Sequence, residues 1–163
     1  MKEINVSLGE QALSRNPEDV LVAYGLGSCV GVVMVDHVSH FSGLLHAVLP
    51  RAAIGPATGE TNPFKYVESG IENLLASLIR NGAYQSGLAV RIVGGANMLQ
   101  ASDLKKSFDI GTRNIEMARA TLGRLKLPII AAEVGGHTGR TLRVYVANGR
   151  VTVRVIGEKE REI

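Results

Sequence analysis

The sequence contains no tryptophan, and aromatic residues make up only 4% of its 163 positions, so stacking platforms for bases or sugars are not expected. No apolar run reaches the roughly 18 residues that a membrane span needs, which argues against direct membrane insertion. Met1-Lys2-Glu3-Ile4 lacks the apolar core of a signal peptide. A single cysteine cannot close an internal disulfide, and a reducing cytoplasm is its simplest home. The net charge of +3 is far from the dense Lys/Arg stripes of nucleic-acid binders, so no nucleic-acid partner is expected, although an acidic protein would suit it. His37, His40 and His46 have no accompanying carboxylate cluster and do not make a metal set. Gly94-Gly95 and Gly135-Gly136 match neither the dinucleotide nor the nucleotide-binding loops, so the expectation is no metal and no cofactor.

What is present is 45% hydrophobic residues, enough for one well-buried core, and we expect a single domain over residues 1–163. Ile4 to Gly9 alternates as a half-buried strand does. Val20 to Tyr24, Cys29 to Asp36 and Phe41 to Leu49 read as further strands. Arg51 to Glu60 reads as a surface loop bordering whatever site lies near His46. Asn62 as N-cap, Pro63 as the first helical residue and apolar positions from Phe64 to Leu78 predict a helix that stops at Asn81-Gly82. A second helix is expected from about Thr112 to Leu125, with Ile115, Ala118, Leu122 and Leu125 facing inward. Leu88 to Val93 and Pro128 to Val134 are strands. Asn148-Gly149 is the dipeptide of a two-residue type I′ hairpin, which would pair Val146 with Val151, Val144 with Val153 and Leu142 with Val155. The charged tail 158–163 is expected to fray.

Cys29 follows the glycine turn Gly25-Leu26-Gly27-Ser28 at the head of a strand, and His46 stands near the end of the next one. Antiparallel pairing of those strands would bring the two positions together. A lone cysteine with a histidine elsewhere in the chain is the sequence form of a nucleophile and its base. Backbone N–H groups around Gly27 and Ser28 could then receive a developing oxyanion. The residues alone leave a plainer reading open, in which Cys29 is a small buried hydrophobe and His46 a hydrogen-bonded core residue.

Taken together and in order, Gly25-Leu26-Gly27-Ser28-Cys29-Val30, His46-Ala47-Val48-Leu49-Pro50, Lys65-Tyr66, Gly94-Gly95-Ala96-Asn97-Met98, Ile110-Gly111-Thr112-Arg113-Asn114 and Glu133 to Arg140 resemble the chemoreceptor glutamine deamidase family, CheD, from about Glu3 to Ile156. The resemblance implies an α/β (α+β) layered domain with a mixed, largely antiparallel β-sheet and external helices, similar to toxin-type cysteine deamidases. It also implies a cysteine hydrolase, a protein-glutamine glutaminase that converts glutamines of bacterial chemoreceptors to glutamate. Cys29 would be the nucleophile and His46 the general base and acid. The implied partners are the chemoreceptor cytoplasmic helical bundle and a CheC-type phosphatase, and the alternative role is a weakly catalytic or non-catalytic regulator that binds them. The family's third catalytic position, commonly Thr, falls on Ala23. A methyl group cannot hold an imidazole, so a backbone carbonyl near Ala23, or another residue, is expected to do so.

Overall fold

In the computed structural model, residues 1–53, 62–98 and 109–163 are described. The expected loop from Arg51 to Glu60 lies, beyond Ala53, outside them. The described strands are β1 (Lys2–Asn5), β2 (Glu10–Ser14), β3 (Asp19–Leu26), β4 (Val30–Asp36), β5 (Phe41–Ala47), β6 (Leu88–Gly94), β7 (Ile129–Val134), β8 (Arg140–Tyr145), β9 (Arg150–Val155) and β10 (Arg161–Glu162). Two longer helices accompany them, α1 (Val67–Arg80) and α2 (Ile110–Arg124). The expected mixed β-structure with external helices is present, divided into two five-stranded sheets, β1-β3-β8-β9-β10 and β2-β5-β4-β6-β7.

The second sheet is the middle layer, and β4 shows why. Seven residues in a row are buried, so neither face of the strand meets water. Val30, Val32 and Met34 pack with Ile71, Leu74 and Leu78 of α1 and with Ala118 and Leu122 of α2. Val33, Val35 and the partner-strand residue Leu44 pack with Leu21, Leu142, Val144 and Val153 of the first sheet. The order is therefore sheet, sheet, helices, with one apolar interface on each side of β4.

Several local expectations shift. The long strand read over Ile4 to Gly9 is shorter, because the chain leaves one sheet after Asn5 and enters the other at Glu10. Asn62 caps a short 3₁₀ turn, Pro63–Lys65, by accepting from the Phe64 N–H, and the α-helix itself begins at Val67. The β8–β9 hairpin is displaced by two residues from the expected register: Tyr145 pairs with Arg150, Val144 with Val151 and Leu142 with Val153. A type I′ turn needs two left-handed residues, whereas only Gly149 (φ 69°) is left-handed here. The Val146 N–H is also drawn off to the Asp19 carbonyl, which opens the loop to four residues. A shift of two keeps every side chain on its expected face. The tail does not fray over its last residues. Arg161 and Glu162 pair with Val153 and Thr152, the Ile163 N–H donates to the Val151 carbonyl, and Arg161 meets Glu133.

Candidate active site

β4 and β5 pair antiparallel with Val30 opposite Ala47 and Gly31 opposite His46. Directly opposed residues share a face, as do residues two apart on one strand. Gly31 and His46 therefore point the same way, toward the first sheet, and Cys29, two residues before Gly31, packs on that side among Leu26, Leu142 and Val93. Cys29 thus lies on the face that His46 shares, in the bend one residue before β4. Both side chains are buried, at 8% and 3% exposure.

His46 is held on every side but one. Its strand lies between β2 and β4, and its carbonyl accepts from the Gly9 N–H at 2.8 Å. Its ring Nδ1 is 2.9 Å from the Val6 carbonyl. A carbonyl only accepts, so Nδ1 carries the proton and Nε2 carries a lone pair. That Nε2 is fully buried and has no hydrogen-bond partner among the described residues. Burial holds the imidazole below its ordinary pKa, against the opposing pull of the Val6 carbonyl and of Glu10, which keeps the ring neutral at pH 7.

The group that orients the ring is therefore a main-chain carbonyl in the segment linking β1 to β2. The Val6 N–H donates to the Val22 carbonyl at 2.7 Å, beside Ala23, which is itself fully buried and supplies only a methyl group to the core. Sequence reasoning did not find Val6, since a backbone acceptor leaves no trace in residue type.

The thiol sits at the end of a bend whose carbonyls are all engaged. Gly27 O accepts from the Ala96 N–H and Cys29 O from the Gly95 N–H, both at 2.8 Å, while Ser28 O accepts from the Asn114 amide at 2.8 Å. Gly94 has φ 107°, and a Cβ there would collide with the Cys29 carbonyl, so glycine is required for β6 to end this close to the bend. Among the described residues, the Ser28 and Cys29 N–H groups find no main-chain acceptor. Burial pushes the Cys29 thiol up from its ordinary pKa, and its own backbone N–H, lying against the sulfur, pulls the other way. At rest Cys29 is a thiol and His46 a neutral imidazole.

The other histidines lie elsewhere. His37 and His40 occupy the turn between β4 and β5 at the far end of the hairpin, lining a cavity of about 140 Å³ with Ser42 and Asn148. Among the described residues, no group of three or more His, Cys, Asp or Glu could hold a metal ion.

The sequence matches proteins named as chemoreceptor glutamine deamidases over almost its whole length. Over 158 residues it is 40% identical to a Symbiobacterium thermophilum protein named "Probable chemoreceptor glutamine deamidase CheD", covering 97% of this chain and 95% of the relative. A Pyrococcus horikoshii protein of the same name is 37% identical over 161 residues, covering 97% and 95%. The family model "CheD chemotactic sensory transduction" matches residues 48–155. The chain belongs to the CheD family. The CheD match begins just after His46, so the coverage of Cys29 and His46 comes from the full-length relatives. Among solved structures, YlmD from Geobacillus stearothermophilus overlaps 77% of this chain and 50% of its own, with a TM-score of 0.47 at 14% identity. The C-terminal domain of CNFy from Yersinia pseudotuberculosis overlaps with a TM-score of 0.45 at 9% identity, covering 99% and 62%. Neither overlap bears on the chemistry.

Proposed function

We propose that this chain is a protein-glutamine deamidase that hydrolyses glutamine side chains of chemoreceptors, with Cys29 as nucleophile and His46 as general base and then acid. The observation that carries this reading is the buried, partnerless Nε2 of His46 on the face it shares with Cys29. A neutral imidazole with a buried, unpartnered lone pair, on the face that also carries the thiol, is a base waiting for a proton.

The Nε2 atom takes the thiol proton as Sγ attacks the amide carbon, and the Val6 carbonyl steadies the Nδ1–H of the imidazolium that forms. The negative charge that develops on the amide oxygen is received by the Ser28 and Cys29 N–H groups, one good donor of this kind lowering the barrier by about 3 kcal/mol. Gly27 contributes the turn rather than a donor we can assign. Collapse of the tetrahedral intermediate breaks the C–N bond, and His46 returns its proton to the departing nitrogen, releasing ammonia and leaving a thioester. Water, deprotonated by the same Nε2, then cleaves the thioester to give glutamate and the free thiol. The net change is glutamine plus water to glutamate plus ammonia.

The names of the relatives supply the substrate class, and a chemoreceptor helical bundle is accordingly the proposed partner in a cytoplasmic setting. A CheC-type phosphatase as second partner rests on the family resemblance alone. The Val6 carbonyl fills the orienting role that the methyl group of Ala23 cannot, which supports the catalytic reading over a non-catalytic regulator. The test is to incubate the protein with the cytoplasmic helical bundle of a receptor and follow the mass increase of about one dalton per glutamine converted. Conversion by wild type and none by Cys29→Ala is expected. Equal conversion by both would end the thiol reading.

A further inference from the structure

We propose that Asn114 is a positioning residue for the thiol, aiming the Ser28–Cys29 peptide so that its N–H faces the reacting atoms; this rests on the deamidase reading above. Asn114 lies on α2 with no exposed surface. Its amide nitrogen is 2.8 Å from Ser28 O and 2.9 Å from Val48 O. Both partners are carbonyls, so the atom between them must be the –NH₂, and each of its two hydrogens has one acceptor. Its Oδ1 is buried with no partner among the described residues. An amide placed in a core with half of its hydrogen-bonding capacity unused is a poor stabiliser and a good clamp.

What the clamp grips determines what it does. Ser28 belongs to the bend before the nucleophile, and Val48 follows His46 by two residues, so one side chain ties together the segments that carry the thiol and the base. The Ser28–Cys29 peptide is trans and planar, which sets the Cys29 N–H antiparallel to the Ser28 C=O. Pulling that carbonyl toward α2 therefore turns the Cys29 N–H away from the helix. The helix can reach this far because position 111, one turn earlier, is glycine: a Cβ there would collide with the Ala96 and Gly95 carbonyls. Serine at 114 would offer one donor and aspartate none when ionised, so asparagine is the residue of this length that serves two carbonyls.

The test compares Asn114→Ala and Asn114→Asp with wild type in two assays: kcat and KM for glutamine conversion on a receptor helical bundle, and the rate of Cys29 alkylation by iodoacetamide. Alkylation needs a thiolate but no oxyanion donor, so it separates aiming of the peptide from integrity of the thiol. For Asn114→Ala, kcat falls on the order of 10²-fold while KM and the alkylation rate stay within about threefold of wild type. For Asn114→Asp, which keeps the shape if the alanine variant fails to fold, the ratio of its kcat to that of wild type rises as pH falls, because a protonated carboxyl regains one donor. Full kcat in a folded variant, a parallel fall of kcat and alkylation, or a pH-independent ratio for Asn114→Asp would each overturn the proposal. A wild type that alkylates but converts no glutamine would instead remove the deamidase reading, and the positioning role with it.

Discussion

The two ends of the β4–β5 hairpin both bury polar groups, and they treat them oppositely. At the turn end, Asp36 is fully buried and its carboxylate is closed by donors: Oδ1 accepts from the Val38 N–H at 3.0 Å, and Oδ2 from the Ser39 hydroxyl at 2.7 Å and the Tyr84 N–H at 2.8 Å. Burial would push its pKa up, but the bonds from Ser39, Tyr84 and Val38 outweigh that and hold it below the ordinary value. At the open end, Cys29 and His46 are also buried, yet the lone pair of Nε2 has no partner and the Ser28 and Cys29 N–H groups have no main-chain acceptor among the described residues. A buried polar group left unmatched works against stability. One strand pair thus contains a closed polar site and the proposed reactive one, and the number of bonds made separates them better than burial does.

The largest effect expected is on turnover. Cys29→Ala lowers glutamine conversion by at least about 10⁴-fold, as loss of a nucleophile does elsewhere, while its urea midpoint moves little; a large loss of stability instead would return Cys29 to the core. His46→Gln lowers kcat by about 10²- to 10⁴-fold, the share a positioned base supplies, and slows Cys29 alkylation at pH 7. Asp36→Asn reverses the pattern. It puts an –NH₂ among three donors and costs about 2 to 4 kcal/mol in urea unfolding, with kcat per folded molecule unchanged. Loss of kcat in that folded variant would erase the distinction between the two ends.

The smallest effect is a pH dependence, and it too divides the ends. His46 is held below the ordinary imidazole value of about 6.5 chiefly by burial, so the unfolded chain binds more protons there. Its contribution to stability is present above about pH 6.5 and is lost as pH falls toward the depressed folded value. Asp36 is likewise depressed, and its contribution is lost only below about pH 4. Urea unfolding at a series of pH values should therefore weaken in two separate windows, and His46→Gln should flatten the upper one alone.

Much of this was legible in residue types. The glycine bend, the buried strand after it, the antiparallel partner ending near His46 and the helix over Val67–Arg80 follow from turn chemistry, apolar runs and helical spacing. Three things were not. The hairpin register depended on where the Val146 N–H went, which is a tertiary matter. The orientation of His46 depended on a main-chain carbonyl of Val6, forty residues away, which any residue would have supplied. Asn114 left a readable signal that went unused: it shares a helical stripe with Ala118, Thr121 and Leu122, where a polar residue in an otherwise inward face asks for a buried partner.

The contrast between a closed and an open end comes down to where one proton sits. Nitrogen chemical shifts and one-bond couplings of the His46 ring in ¹⁵N-labelled protein at pH 7 report it directly. A neutral ring protonated on Nδ1, with Nε2 bare, is the predicted result; a proton on Nε2, or on both nitrogens, would contradict it.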